Sequence, residues 1–198
     1  MLTCQRGETM TTETPVGEYS TTITDERPTG ERADLLAALR QARYFMRLTT
    51  EGMDDEQAGR RTTVSELCLG GLIKHVTVTE RVWAAFVEFG PAALPDFMNF
   101  TEADYRRRAE EFRLLPGETL AGVLAAYEAV AAATDQLVAG LTDADLNTGY
   151  QLPPAPWDLN PEIRSVRRAL LGIIAETTHH AGHADIIREA IDGAKSMG

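Results

Sequence analysis

Residues 165–193, SVRRALLGIIAETTHHAGHADIIREAIDG, form the longest helical pattern in the chain and hold three of its four histidines. Leu170, Ile173, Ile174, Thr177, Ala181, Ala184 and Ile191 recur at helical spacing and mark one core-facing side. Pro161 suits the first turn of this helix and Gly193 its end. A helix this long with one apolar side must be covered by other helices, and the rest of the chain supplies them.

Residues 31–52 place Leu35, Leu36, Leu39, Ala42 and Met46 on one face of a first helix. After a polar connection with a short turn near DDEQ, residues 69–89, LGGLIKHVTVTERVWAAFVEF, read as the second, and Gly70-Gly71 at its start permit close backbone approach. Residues 90–118 are an irregular crossover, interrupted by prolines, with a helical piece over 102–112. Residues 118–140 give an alanine-rich third helix with Leu120, Val123, Tyr127, Ala131 and Thr134 along one side and Gly140 as its C-cap. Residues 141–160 read as a turn-rich loop. Four long amphipathic patterns without an alternating strand pattern imply an all-α four-helix bundle, and the long crossover between helices 2 and 3 argues against simple up-down-up-down order.

Composition narrows the function classes. The chain has 198 residues and 43% hydrophobic content, enough for one packed domain, expected over 29–198 after an extended N-terminal arm at 1–28. A formal charge of −11 repels a phosphate backbone, so nucleic acid is not an expected partner, and Arg106-Arg107-Arg108 and Arg167-Arg168 read as solvated helix faces. No segment has the apolar length of a membrane span and the leader lacks the apolar run of a signal peptide. Cys4 and Cys68 imply no disulfide framework, which makes the cytoplasm the expected compartment. Met10 is an alternative start to Met1.

The directions of the histidines differ. In the second helix Leu72, Val76, Thr79, Val82, Trp83 and Phe86 form the apolar stripe, and His75 falls near its middle. In the last helix His180 lies at the edge of the stripe, Glu176 and His183 on its flank, and His179 points away. Glu176 and His180 are one turn apart on one face. With His75 from a facing helix they offer two imidazoles and a carboxylate, the ligand set of an open zinc-type site, which nickel or iron would also accept. The ordinary alternatives are a hydrogen-bonded core histidine at His75 and a salt bridge from Glu176 to Arg164, Arg167 or Arg168. His179 and His183 make a rival pair at the same spacing, and His183 also reads as a group supporting the ligands or touching substrate.

The segments TTVSELCLGGLIKHVTVTERVW and AETTHHAGHADIIREAIDG resemble the DinB/YfiT-like superfamily, in particular its actinobacterial branch related to the Streptomyces mini-circle proteins, over residues 31–193. The resemblance implies a four-helix bundle in which one histidine of the second helix and two residues of the last hold a divalent metal. The common second pair is His-x-x-x-His; here Glu176 takes its first position. A His, Glu, His set is what mycothiol-dependent maleylpyruvate isomerase of the same superfamily uses for zinc, so the resemblance implies His75, Glu176 and His180 as ligands. It further implies chemistry with a low-molecular-weight thiol such as mycothiol on a small electrophile, and a possible homodimer. Tyr150, Trp157 and Asp158 are loop residues available to line an acceptor pocket, Trp157 alternatively capping the core. A metal-dependent hydrolase and a non-catalytic stress-response or binding protein are the competing function classes.

Overall fold

The computed structural model describes residues 28–196; residues 1–27 of the expected arm, with Cys4 and Met10, lie outside them. Four long helices make the framework: α1 (Glu31–Leu48), α3 (Leu69–Phe89), α5 (Leu120–Gly140) and α7 (Val166–Asp192). Three short helices join them: α2 (Asp55–Gly59), α4 (Glu102–Glu110) and α6 (Asp143–Asn147). Each short helix opens on a capping box, in which Asp54, Thr101 or Thr142 exchanges hydrogen bonds with the residue three positions on. Short polar segments are thus helical because their first-turn amides are satisfied locally, and the turn expected at DDEQ is α2.

Three expectations are corrected. The loop at 141–160 holds α6 and leads into an antiparallel pair, β1 (Gly149–Gln151) with β2 (Ile163–Ser165), in which Tyr150 stands opposite Arg164. Three-residue strands are too short for a period-two pattern to show in sequence. Because β2 occupies 163–165, Pro161 is not in the first turn of α7; Ser165 caps that helix by accepting from the Arg168 amide. Gly140 is the last residue of α5, with extended Leu141 as its cap, whereas Gly193 does end α7 in the left-handed region at φ 82°.

Around the bundle α1 packs on α7, α7 on α3, α3 on α5 and α5 on α1. The core has two apolar halves. One gathers Met46, Leu69, Leu72, Ile73, Tyr127 and Ile187; the other Leu35, Leu39, Phe86, Val138, Leu170 and Ile173. Each fully buried aliphatic side chain contributes roughly 1.5–3 kcal/mol against exposure. The order of these residues along each helix shows that α1 and α7 run in one direction and α3 and α5 in the other. Parallel neighbours such as α3 and α5 need a connection as long as the bundle, which is why residues 90–119 form a crossover.

Between the halves lies a polar layer. Arg43 of α1, buried, donates to both oxygens of fully buried Glu80 of α3 at 2.6 and 3.1 Å, and to Asp135 of α5 at 2.7 Å. The bidentate geometry offsets the desolvation of two charges. Both residues fall on the apolar stripes of their helices, at Leu39-Ala42-Arg43-Met46 and Ile73-Val76-Thr77-Glu80, a signal that charges face each other across the core.

Candidate metal centre

His75 sits on α3 and is 3% exposed, and Glu176 and His180 sit one turn apart on the facing α7. One ligand atom from each lies within 4.8 Å of the others. Glu176 Oε1 is 3.3 Å from His75 Nε2 and 3.3 Å from His180 Nε2. Two ligands of one tetrahedral ion at about 2.0–2.2 Å stand about 3.3–3.5 Å apart, so these separations suit a shared cation.

The far side of each imidazole is also engaged. His75 Nδ1 lies 3.4 Å from Glu111 Oε2, and the ring stacks on Phe112 with centroids 4.2 Å apart. His180 Nδ1 lies 3.4 Å from His183 Nδ1. A neutral imidazole has a single N–H, yet His75 meets a carboxylate at both nitrogens. One contact would then set a lone pair against a carboxylate, a repulsion that a metal ion between them would remove. With the Nδ1 proton of His75 on Glu111 and that of His180 on His183, both Nε2 lone pairs converge with Glu176, the outer-shell arrangement common at metal-bound histidines.

The electrostatics agree. Burial would raise the Glu176 carboxyl, but the His75 hydrogen bond and the His180 and His75 charges outweigh it and hold it below the usual value. Burial, then repulsion from His75, holds His180 below the usual imidazole value against the pull of Glu176. The salt bridges offered as the ordinary explanation of Glu176 do not form: Arg167 pairs with Glu31 and Asn147, Arg164 lies over the Trp83 ring, and no guanidinium meets Glu176 among the described residues. His179 is exposed, as its direction predicts, and stacks beside His180 and His183.

Glu111 and Phe112 were not legible as site residues. They reach His75 because the crossover lies flat on the first turn of α3. A Cβ on Gly71 would overlap the Phe112 carbonyl, and one on Gly70 would overlap the Leu114 side chain. Lys74 then clamps the segment, donating to the carbonyls of Glu110 and Arg113 at 3.2 and 2.9 Å and to Glu118 at 2.6 Å. The Gly70-Gly71 pair therefore permits the close approach its sequence suggests, and the element that approaches is the one carrying Glu111.

Beside the centre lies a cavity of ≈ 570 Å³ lined by Glu176 and Glu111, by Thr79, Val82 and Trp83 of α3, by the crossover around Phe97, and by the loop around Trp157. Thr79, Val82 and Trp83, read as core stripe, thus face this space. Trp157 does not cap the core: it is 70% exposed and meets Phe97 edge-on at 4.9 Å. Asp158 lines the cavity, whereas Tyr150 packs on Phe86.

A helical bundle in which α3 and α5 run parallel across a long crossover, with a His-Glu-His group whose carboxylate lines a cavity, is that of a DinB/YfiT-like protein. The mycothiol-S-transferase family matches residues 34–193, and the chain belongs to that family of enzymes. In structure it is similar to a conserved protein of Enterococcus faecalis, 13% identical, over 84% of this chain and 100% of that one with a TM-score of 0.63. That likeness concerns the fold alone. No curated protein matches the chain in sequence.

Proposed function

We propose that this mycothiol S-transferase is metal-dependent, with His75, Glu176 and His180 holding one divalent ion, zinc first and nickel or iron as alternatives. The observation that carries the reading is the convergence of three donor atoms with no guanidinium or ammonium of the described residues on the carboxylate. When bound, a divalent cation lowers the pKa of a coordinated thiol and so supplies thiolate at neutral pH. Two neutral imidazoles and one carboxylate leave a divalent site with one positive charge, which a single thiolate neutralises.

The chain's own residues do the remainder. Glu111 holds the proton on His75 Nδ1, and His183 accepts the one on His180 Nδ1, so each ring presents a bare Nε2. Phe112 shields the His75 face from water. The cavity, with Trp157 at its exposed rim, accommodates the electrophile beside Glu176. A cytoplasmic homodimer completes the reading; no helix of the described residues is long and apolar enough to cross a membrane.

The test is elemental analysis of untagged protein together with mycothiol consumption in the presence of electrophiles. Near-stoichiometric metal and thiol-dependent turnover, both lost in His180→Ala, are expected. Turnover that survives in that variant, or hydrolysis that proceeds without thiol, sinks the reading, the latter in favour of a hydrolase.

A further inference from the structure

Among the described residues, Arg164 is a guanidinium lining the cavity that makes no ion pair. It projects from β2, whose main chain is pinned opposite Tyr150, and it lies 5.3 Å from the Trp83 ring centroid. It makes no ion pair or side-chain hydrogen bond there, although its neighbour Arg167 makes three. Partial burial and then the charge of Arg168 both work against its ionised form, while Glu162 favours it only from beyond ion-pair distance. Of the other charges on this wall, Asp104 is held by Thr101 and Arg107, and Glu111 lies against His75; Arg108, 6.0 Å from the Phe97 ring centroid, makes no ion pair either among the described residues, but it is exposed to solvent whereas Arg164 is partly buried. In a chain of net charge −11, a partly buried guanidinium held on an aromatic ring and by no ion pair is the distinctive group of this lining.

From this placement we infer that Arg164 selects the acceptor: the electrophile carries an anionic group, such as a carboxylate, at the end of its flat or apolar body away from the reacting carbon. The inference rests on the transferase reading. Trp83 follows His75 by eight residues on α3, about 12 Å along the axis at 1.5 Å per residue. The cation and Glu176 thus line the same cavity at separate places, with the aromatic wall of Trp83, Phe97 and Trp157 beside them. An Arg–carboxylate pair fixes one end by two parallel hydrogen bonds, and the apolar wall packs the body.

The probes are para-nitrobenzoate and its uncharged counterpart para-nitrobenzamide. The chain's two tryptophans, Trp83 and Trp157, both line the cavity, so quenching of their fluorescence reads binding without turnover. The native protein should bind the carboxylate roughly tenfold to hundredfold more tightly than the amide, the range of a charge-assisted hydrogen-bonded pair. Arg164→Gln should abolish that preference with the amide's Kd unchanged, and Arg164→Lys should keep part of it. Equal binding of both probes by the native protein, or a substitution that weakens both alike, overturns the inference. Chloro-substituted analogues of both probes then read transfer: the C–S bond forms, the C–Cl bond breaks, chloride leaves with the bonding pair and the thiol proton passes to solvent. The KM for the anionic acceptor should rise in Arg164→Gln while that for mycothiol stays; a change in the mycothiol KM alone assigns the anion to the thiol and overturns the acceptor assignment. Selective binding without any transfer leaves the anion site standing and removes the transferase reading.

Discussion

Glu111 shows how much of the proposed metal centre depends on side chains outside the His75, Glu176, His180 trio. Its carboxylate contacts His75 Nδ1 and thereby sets which ring nitrogen faces α7. Glu111→Gln keeps the shape but weakens the acceptor, and should lower metal affinity about tenfold to hundredfold, read by competition with a chromophoric chelator. His75→Ala and Glu176→Ala should each abolish stoichiometric metal in elemental analysis. The metal-free protein carries a pH signature. Glu176 titrates lower when folded, so its contribution is present above the ordinary carboxylate value and is lost as pH falls through the depressed one. His180 also titrates lower when folded, so the unfolded chain binds its proton first and stability falls with pH from the ordinary imidazole value downward. Both act in one direction: the Tm of metal-free protein should drop on acidification from neutrality, and His180→Gln should flatten the part nearest pH 6. A Tm that rises over that interval contradicts the assignment.

Among elements, the crossover and α3 act as one unit. Gly71→Ala pushes a methyl group into the Phe112 carbonyl, which is backbone and cannot swing aside. The cost should be about 1–3 kcal/mol in chemical denaturation, with weaker metal binding because Glu111 and Phe112 withdraw from His75. Gly70→Ala meets the Leu114 side chain, which can rotate where backbone cannot, and should be milder. Equal effects of the two substitutions would falsify the close-approach account. The short pairing of β1 and β2 has a similar use: it is too small to matter for stability, yet it presents Arg164 to the cavity.

For the molecule as a whole, the polar layer between the two apolar halves binds three helices together. Glu80→Ala leaves Arg43 buried without its main partner and should destabilise the bundle by about 3–5 kcal/mol, whereas Arg43→Met with Glu80→Leu should restore most of that loss. Urea denaturation of the three proteins checks it, and a double variant no better than Glu80→Ala refutes it.

Four helices, their apolar faces, the capped end of α7 at Gly193 and the His75, Glu176, His180 trio could all be read from residue periodicity, because helical spacing converts sequence distance into direction. Motif order added the family. Glu111, Phe112 and Arg164 could not be read that way: each reaches the site from a crossover or a three-residue strand, where no period links position to direction. The same holds for the cavity, whose α3 wall carries the residues a one-helix projection assigns to the core. Local chemistry specifies which face of a helix is apolar, but whether that face meets another helix or an open space depends on how the parallel pair and its crossover pack.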